Sequence, residues 1–211
     1  MIESSYWREE LRADIRWLRA KQKFKRWSEK QLVLYERKLM LVAFQLRTLL
    51  ERPKVNDQVK ALKLRAVKYP KNSGKPFTVV GPGWPDDHFD LTSPKEVQLS
   101  VWDVCNQLIH YYWMSTASEK GRFTSLLVFS DYKRHTCAYG FEVSSLIDLF
   151  SAFGAEDSAV SGCRFVWNEK KQDYRMEDAR GPSSETTPVE FVEAEPFAAP
   201  DPAASFASGT S

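Results

Sequence analysis

Residues 100–114 read SVWDVCNQLIHYYWM, and this stretch limits the folds open to the chain more than any other. Placed on a helix at about 100° per residue, Val101, Val104, Cys105, Leu108, Ile109 and Tyr112 fill one broad side. Trp102, Tyr111 and Trp113 extend the apolar surface around both flanks, and Asp103, Asn106, Gln107 and His110 share one narrow polar strip. Ser100 with Asp103 three residues on forms a capping box that starts the helix. A helix apolar nearly all round has to be sandwiched between other elements. The spacing therefore predicts a central buried helix whose polar strip either reaches water or lines a site.

A core around such a helix needs apolar mass. The chain supplies 43% hydrophobic and 13% aromatic residues, with seven Trp among 211. No apolar run approaches the roughly 18 residues of a membrane span. The opening MIESSYWREE carries acids where a signal peptide has a basic start and an apolar stretch. The expectation is a soluble, cytoplasmic protein with no membrane association. Cys105, Cys137 and Cys163 are odd in number, far apart and without CxxC spacing, so they read as free thiols and not as a disulfide framework or zinc site.

The net charge of +2 hides a polarised chain. Residues 1–68 carry 18 Lys and Arg against 8 acids, residues 69–176 carry 11 against 13, and residues 177–211 carry 1 against 7. The head is basic, the body nearly neutral and the tail acidic.

Taken in order, Ser4 or Ser5 caps a first helix with Trp7, Leu11, Ile15 and Leu18 at helical spacing. Ser28 and Gln31 form a second capping box. The following helix places Leu32, Tyr35, Leu39, Val42, Leu46 and Leu49 at alternating three- and four-residue steps, the seam of a coiled coil or helical pair. The two helices make either an antiparallel hairpin or one long helix bent near Arg26. Ala61 to Tyr69 alternates as a strand, and Phe77 to Val80 reads as a further short strand. Gly81 to Asp90 is a Pro-interrupted loop. Arg122 to Ser130 and Thr136 to Phe141 form a β-hairpin. A short helix carries Leu146, Leu149, Phe150 and Phe153, capped by Ser144 or Ser145 and closed by Gly154 as a left-handed terminator. Cys163 to Trp167 and Gln172 to Met176 make a second hairpin. The predicted class is α+β: a basic helical arm over residues 1–57, then an α+β body over 58–178. The body holds a small antiparallel or mixed sheet with the central helix and a second short helix. Residues 179–211, rich in Pro, Ala and Ser, read as a disordered acidic tail.

Four groups of residues carry chemistry. The first is the polar strip of Asp103, Asn106 and His110, three candidates for catalysis. The run CNQLIHYY is similar to the R-N-x-x-x-H-x-Y signature of HEPN ribonucleases, with Asn106, His110 and Tyr112 on the matching positions and Cys105 where the Arg stands. That resemblance implies an all-helical RNA-cleaving domain. The bland reading makes the same residues hydrogen-bonded structural groups. The second group, Asp86, Asp87, His88 and Asp90, offers oxygen ligands near a His but lacks an alternating calcium-loop pattern, so no metal and no cofactor are expected. Third, Cys105 lies on the apolar side of its helix, where a thiol stays protonated.

The fourth is the stretch Arg16 to Trp27, which holds six cations and no acid: Arg16, Arg19, Lys21, Lys23, Lys25 and Arg26. Its Trp17, Phe24 and Trp27 either stack on nucleic-acid bases or dock on the body. The sequence thus points to a non-enzymatic binding protein. Its arm associates with itself or a protein partner through Leu32, Tyr35, Leu39, Val42, Leu46 and Leu49, while its basic segment meets an acidic partner or nucleic acid. The alternative is a nucleic-acid-acting enzyme, or degenerate HEPN-like ribonuclease, that uses Asn106 and His110.

Overall fold

The computed structural model describes residues 4–24, 27–51, 54–72, 74–78, 85–119, 122–155, 160, 162–180 and 190–192. The capping box at Ser28 forms reciprocally. The Ser28 N–H donates to Gln31 Oε1 at 3.0 Å, and the Gln31 N–H donates to Ser28 Oγ at 3.3 Å. It starts α2 (Glu29–Glu51), which packs against α1 (Ser4–Lys21). Lys38 donates to Asp14 at 2.8 Å, and the Trp17 and Tyr35 rings lie 6.2 Å apart. These pairings run in opposite directions along the two helices, so the arm is an antiparallel hairpin and not one bent helix.

After a four-residue α3 (Asp57–Lys60) come β1 (Lys63–Pro70), β2 (Lys95–Ser100), α4 (Val101–Ile109), β3 (Tyr111–Glu119), β4 (Arg122–Ser130), β5 (Cys137–Glu142) and α5 (Val143–Gly154). The five strands form one sheet in the order β2-β1-β5-β4-β3, every neighbouring pair antiparallel. The α+β class read from the sequence is the class found.

The central helix is real but shorter than its apolar run. It ends at Ile109, with His110 as C-cap at φ −105° and ψ 32°. Tyr111 to Met114 then belong to β3 and not to the helix. Aromatic residues suit a half-buried strand, and an unbroken apolar run carries no period to mark where helix gives way to strand. Tyr112 sits in a β-bulge, since Tyr111 faces Ser130 while Trp113 already faces Phe129.

One apolar cluster spans the hairpin and the body. It takes Leu11, Ile15 and Leu18 from α1, Val104 and Leu108 from α4, Leu126 and Val128 from β4, and Leu146, Phe150 and Phe153 from α5. Tyr35, Leu39, Val42, Leu46 and Leu49 of α2 are all buried in this same cluster, with Leu32 half-buried. The seam expected to receive a partner or second copy is therefore closed within the chain, because α2 lies on α4 and α1 lies on α5. The packing is a helical layer on a helix-and-sheet layer, not a coiled coil.

Two local expectations change. Gly154 lies inside α5, and a Cβ there would meet Arg12 Cγ at 3.2 Å and Ile15 Cδ1 at 3.5 Å. The small residue serves close approach of α1, not a left-handed terminator. The N-cap of α5 is Glu142, whose carboxylate accepts from both Ser144 and Ser145 hydroxyls.

The opposite sheet face is partly covered by the connection from β1 to β2. Phe77 and Phe89 pack there on Phe129 and Ala138, with Phe77 stacked on Trp113 at 5.4 Å. Phe77 and Thr78 are not in a strand; Val79 and Val80 lie outside the described residues, as do Gly81 to Trp84.

A second sheet holds β6 (Gly162–Asn168) between β7 (Asp173–Arg180) and β8 (Glu190–Val192). Asp178 has φ 52°, and at this bulge the Ala179 N–H turns away from β6 to donate to Asp57 Oδ2 at 2.9 Å. Within the stretch expected as a disordered tail, Ala179 and Arg180 end β7, and Glu190 to Val192 pair parallel with β6. The rest of the tail lies outside the described residues.

Because hairpin and sheet share one core, Leu46→Ala should cost about 2–5 kcal/mol. Urea unfolding followed by far-UV circular dichroism and by tryptophan fluorescence should give one coincident transition. Two separated transitions would mean that the hairpin folds apart from the sheet.

Candidate functional site

The polar strip of α4 is divided among four neighbours. The Asp103 N–H donates to Ser100 Oγ at 3.1 Å, and the Ser100 hydroxyl donates back to Asp103 Oδ2 at 2.6 Å. Arg47 of α2 donates to Asn106 Oδ1 at 2.6 Å, while its Nε reaches Glu51 at 3.0 Å and its guanidinium lies 4.4 Å from the Trp102 ring centre. Buried Gln107 accepts from the Ser130 hydroxyl of β4. The His110 ring meets Tyr132 edge-on at 5.0 Å. Asp103, Asn106 and His110 thus share a helix without converging on one another. The structure does put a cation beside Asn106, supplied from α2 and not from the adjacent position in sequence. The all-helical domain implied by the HEPN resemblance is not what surrounds this helix, which is joined to strands at both ends and lies on an antiparallel sheet.

Burial pushes the Cys105 thiol up to about 12, against a smaller opposing pull from the Arg47 charge. At neutral pH it is a small apolar side chain and not a nucleophile. In the acidic loop Asp86 and Asp87 are exposed on a 3-10 turn, while His88 is buried with its ring 5.2 Å from Phe77. Asp90 accepts from the Thr92 N–H at 3.0 Å and the Thr92 hydroxyl at 2.6 Å. Those four residues do not gather around a common point, and no group of three or more metal-ligating side chains occurs among the described residues.

The basic stretch divides into a docked part and a free part. Trp27 lies 5.2 Å from Tyr35 and 5.5 Å from Phe123, both edge-on, and Trp17 also packs on Tyr35. Lys21 is over the Phe24 ring at 4.1 Å and the Trp17 ring at 5.2 Å. Arg16 is exposed. Lys25 and Arg26 lie outside the described residues.

Arg19 and Lys23 line a cleft of about 420 Å³ together with Gln22, Arg122, Thr124, Glu142 and Ser144. The end of α1 forms one wall; the starts of β4 and α5 form the other. Arg19 donates to Asp148 at 3.2 Å and Ser151 at 3.0 Å. Lys23 and Arg122 have no ion pair among the described residues.

A bulge shapes the β4 wall. Ser118 faces Phe123 while Ala117 faces Ser125, so Thr124 is the extra residue. Such insertions re-aim side chains beside binding sites. Here Phe123 is sent beneath Tyr35, and Thr124 lines the cleft with a buried Oγ1 that has no partner among the described residues. Nothing in the sequence singles out Arg122, which lies over a hundred residues from Arg19 with no local pattern to join them.

Hydrogen bonds from Ser144 and then Ser145 hold the Glu142 carboxyl below the usual carboxylate range, with a further pull from Arg65. A depressed pKa contributes stability above the unfolded-state value and loses it as pH falls through the folded one. Glu142→Gln should therefore flatten the acid limb of a stability–pH profile measured by urea unfolding; an unchanged limb would show that this cap carries no ionic contribution. Native protein at pH 8 should leave Cys105 unmodified by iodoacetamide under conditions that label all three cysteines after unfolding, as read by mass spectrometry. No helix among the described residues is long and apolar enough to cross a membrane. No protein-family model, curated protein or solved structure matches this chain, so the geometry alone carries the functional reading.

Proposed function

We propose that this chain is a non-catalytic binding protein that takes an acidic segment of a protein partner into the cleft of Arg19, Lys23 and Arg122. The observation that carries this reading is the convergence of three cations from two distant segments on one concave surface, beside a buried Thr124 hydroxyl that has no partner among the described residues. With Arg19 already paired to Asp148, Lys23 and Arg122 against the one carboxylate of Glu142 still leave the lining positive, and clefts lined by one sign of charge concentrate the opposite sign. The helical arm serves this binding through its cations and not through its apolar seam. A peptide is favoured over nucleic acid because Trp17 and Trp27 are already engaged with Tyr35 and Phe123, and the exposed Phe24 ring has Lys21 Nζ over it at 4.1 Å.

The alternative of a nucleic-acid-acting enzyme has one observation in its favour, the Arg47 guanidinium 2.6 Å from Asn106. It predicts that His110→Ala abolishes RNA cleavage with the melting temperature unchanged.

The proposal is tested with the full chain and a fluorescent deca-glutamate peptide. Binding should weaken as salt shortens the Debye length to about 8 Å at physiological ionic strength. Arg122→Glu and Lys23→Glu should each weaken it at least tenfold at low salt. Affinity unchanged by either reversal, or a tighter complex with single-stranded RNA than with the peptide, would overturn it.

A further inference from the structure

Arg19 stands where α1 lies along α5. It shares one face of α1 with Arg12 and Ile15, at steps of three and four residues. Arg12 and Ile15 close on Gly154 at the end of α5, so the next residue of that face falls further back along α5. There Arg19 donates to Asp148 Oδ1 at 3.2 Å and to Ser151 Oγ at 3.0 Å. The Ser151 hydroxyl gives its own proton to the Ile147 carbonyl at 2.6 Å, which leaves its oxygen as an acceptor for the guanidinium. Ser144, which lines the cleft, precedes Asp148 by four residues. It therefore lies on the same face of α5, one turn or about 5.4 Å away. An arginine side chain covers that step by rotating its own torsions, with no movement of either helix.

Charge decides which position Arg19 takes. Without a bound acid, Lys23, Arg122 and the positive N-terminal end of α5 oppose a third cation in the cleft, and Asp148 attracts it away. The one carboxylate of the lining, Glu142, is held by Ser144 and Ser145 and drawn toward Arg65. The Arg19 and Asp148 side chains are 52% and 76% exposed, and an ion pair so open to water is weak enough to exchange. A carboxylate entering the cleft offsets Lys23 and Arg122 and gives Arg19 a second anion within reach. We infer that Arg19 is a two-position side chain, paired with Asp148 until an acidic segment enters the cleft and turned onto that segment afterwards. Asp148 is then an internal competitor that restrains the affinity of the site. This switch rests on the acidic-segment reading of the cleft given above.

The test uses the full chain and the fluorescent deca-glutamate peptide, titrated by anisotropy at low salt. Asp148→Asn should bind about two- to fivefold more tightly than the wild type, the range that an exposed ion pair is worth. In an Arg19→Gln background the same change should give no gain, because Asp148 then has no cation to restrain. The melting temperature of each variant reports that the body stays folded. Unchanged affinity in Asp148→Asn would overturn the switch. So would an equal gain with and without Arg19, since Asp148 would then act only through its general field. In both cases the cleft keeps its assignment as long as Arg122→Glu and Lys23→Glu weaken binding. A wild type that does not bind the peptide would overturn the switch and the cleft reading together.

Discussion

A chain that leaves one edge of a five-stranded sheet and re-enters at the other has to cross it, and α4 is that crossing. Strands about 4.8 Å apart put the outer pair some 19 Å from each other. Nine helical residues at about 1.5 Å each span most of that, and Ser100 and His110 make the corners. The crossing fixes the layer above it. α4 turns one side to the sheet and the other to α2, so it must be apolar on both. Its few polar groups survive only where a neighbour meets them: Gln107 at Ser130 below, Asn106 at Arg47 above. The seam of α2 is the complement of that outer side, and α1 completes the cover over α5.

Much of this arrangement was legible because it rests on local chemistry. The Ser28–Gln31 box, the strand before Pro70, the β4–β5 hairpin and the turn near Gln172 each announce themselves within a few residues. What was illegible depends on partners remote in sequence. Tyr111 to Met114 look equally apolar on a helix or a strand, and only pairing with β4 decides between them. Gly154 carries a signal for a small residue but not the reason, which is Arg12 and Ile15 on another helix. The regular seam of α2 shows that something covers it, and does not distinguish a second chain from the body of the same one.

The cleft illustrates the same limit for function. Arg19 and Lys23 belong to a conspicuous basic run, yet Trp17 and Trp27 interleaved with them pack on Tyr35 and Phe123, and two further cations lie outside the described residues. What remains becomes a site only when Arg122 and the bulged Thr124 arrive from β4. The strip on α4 is the reverse case. Its residues are conspicuous together in sequence, and the fold assigns each of them to a different neighbour.

The order of the elements along the chain has a consequence for how the protein is made. α2 is complete by Glu51, whereas α4, on which its seam lies, ends at Ile109. The central β1–β5 pairing likewise waits for Cys137 to Glu142. Synthesis at about 5–20 residues per second leaves the seam of α2 without its cover for roughly 3–12 s. During that interval Leu39, Val42, Leu46 and Leu49 form an exposed apolar stripe on a nascent chain. Nascent-chain chaperones would encounter that face first, and the mature fold removes it from view.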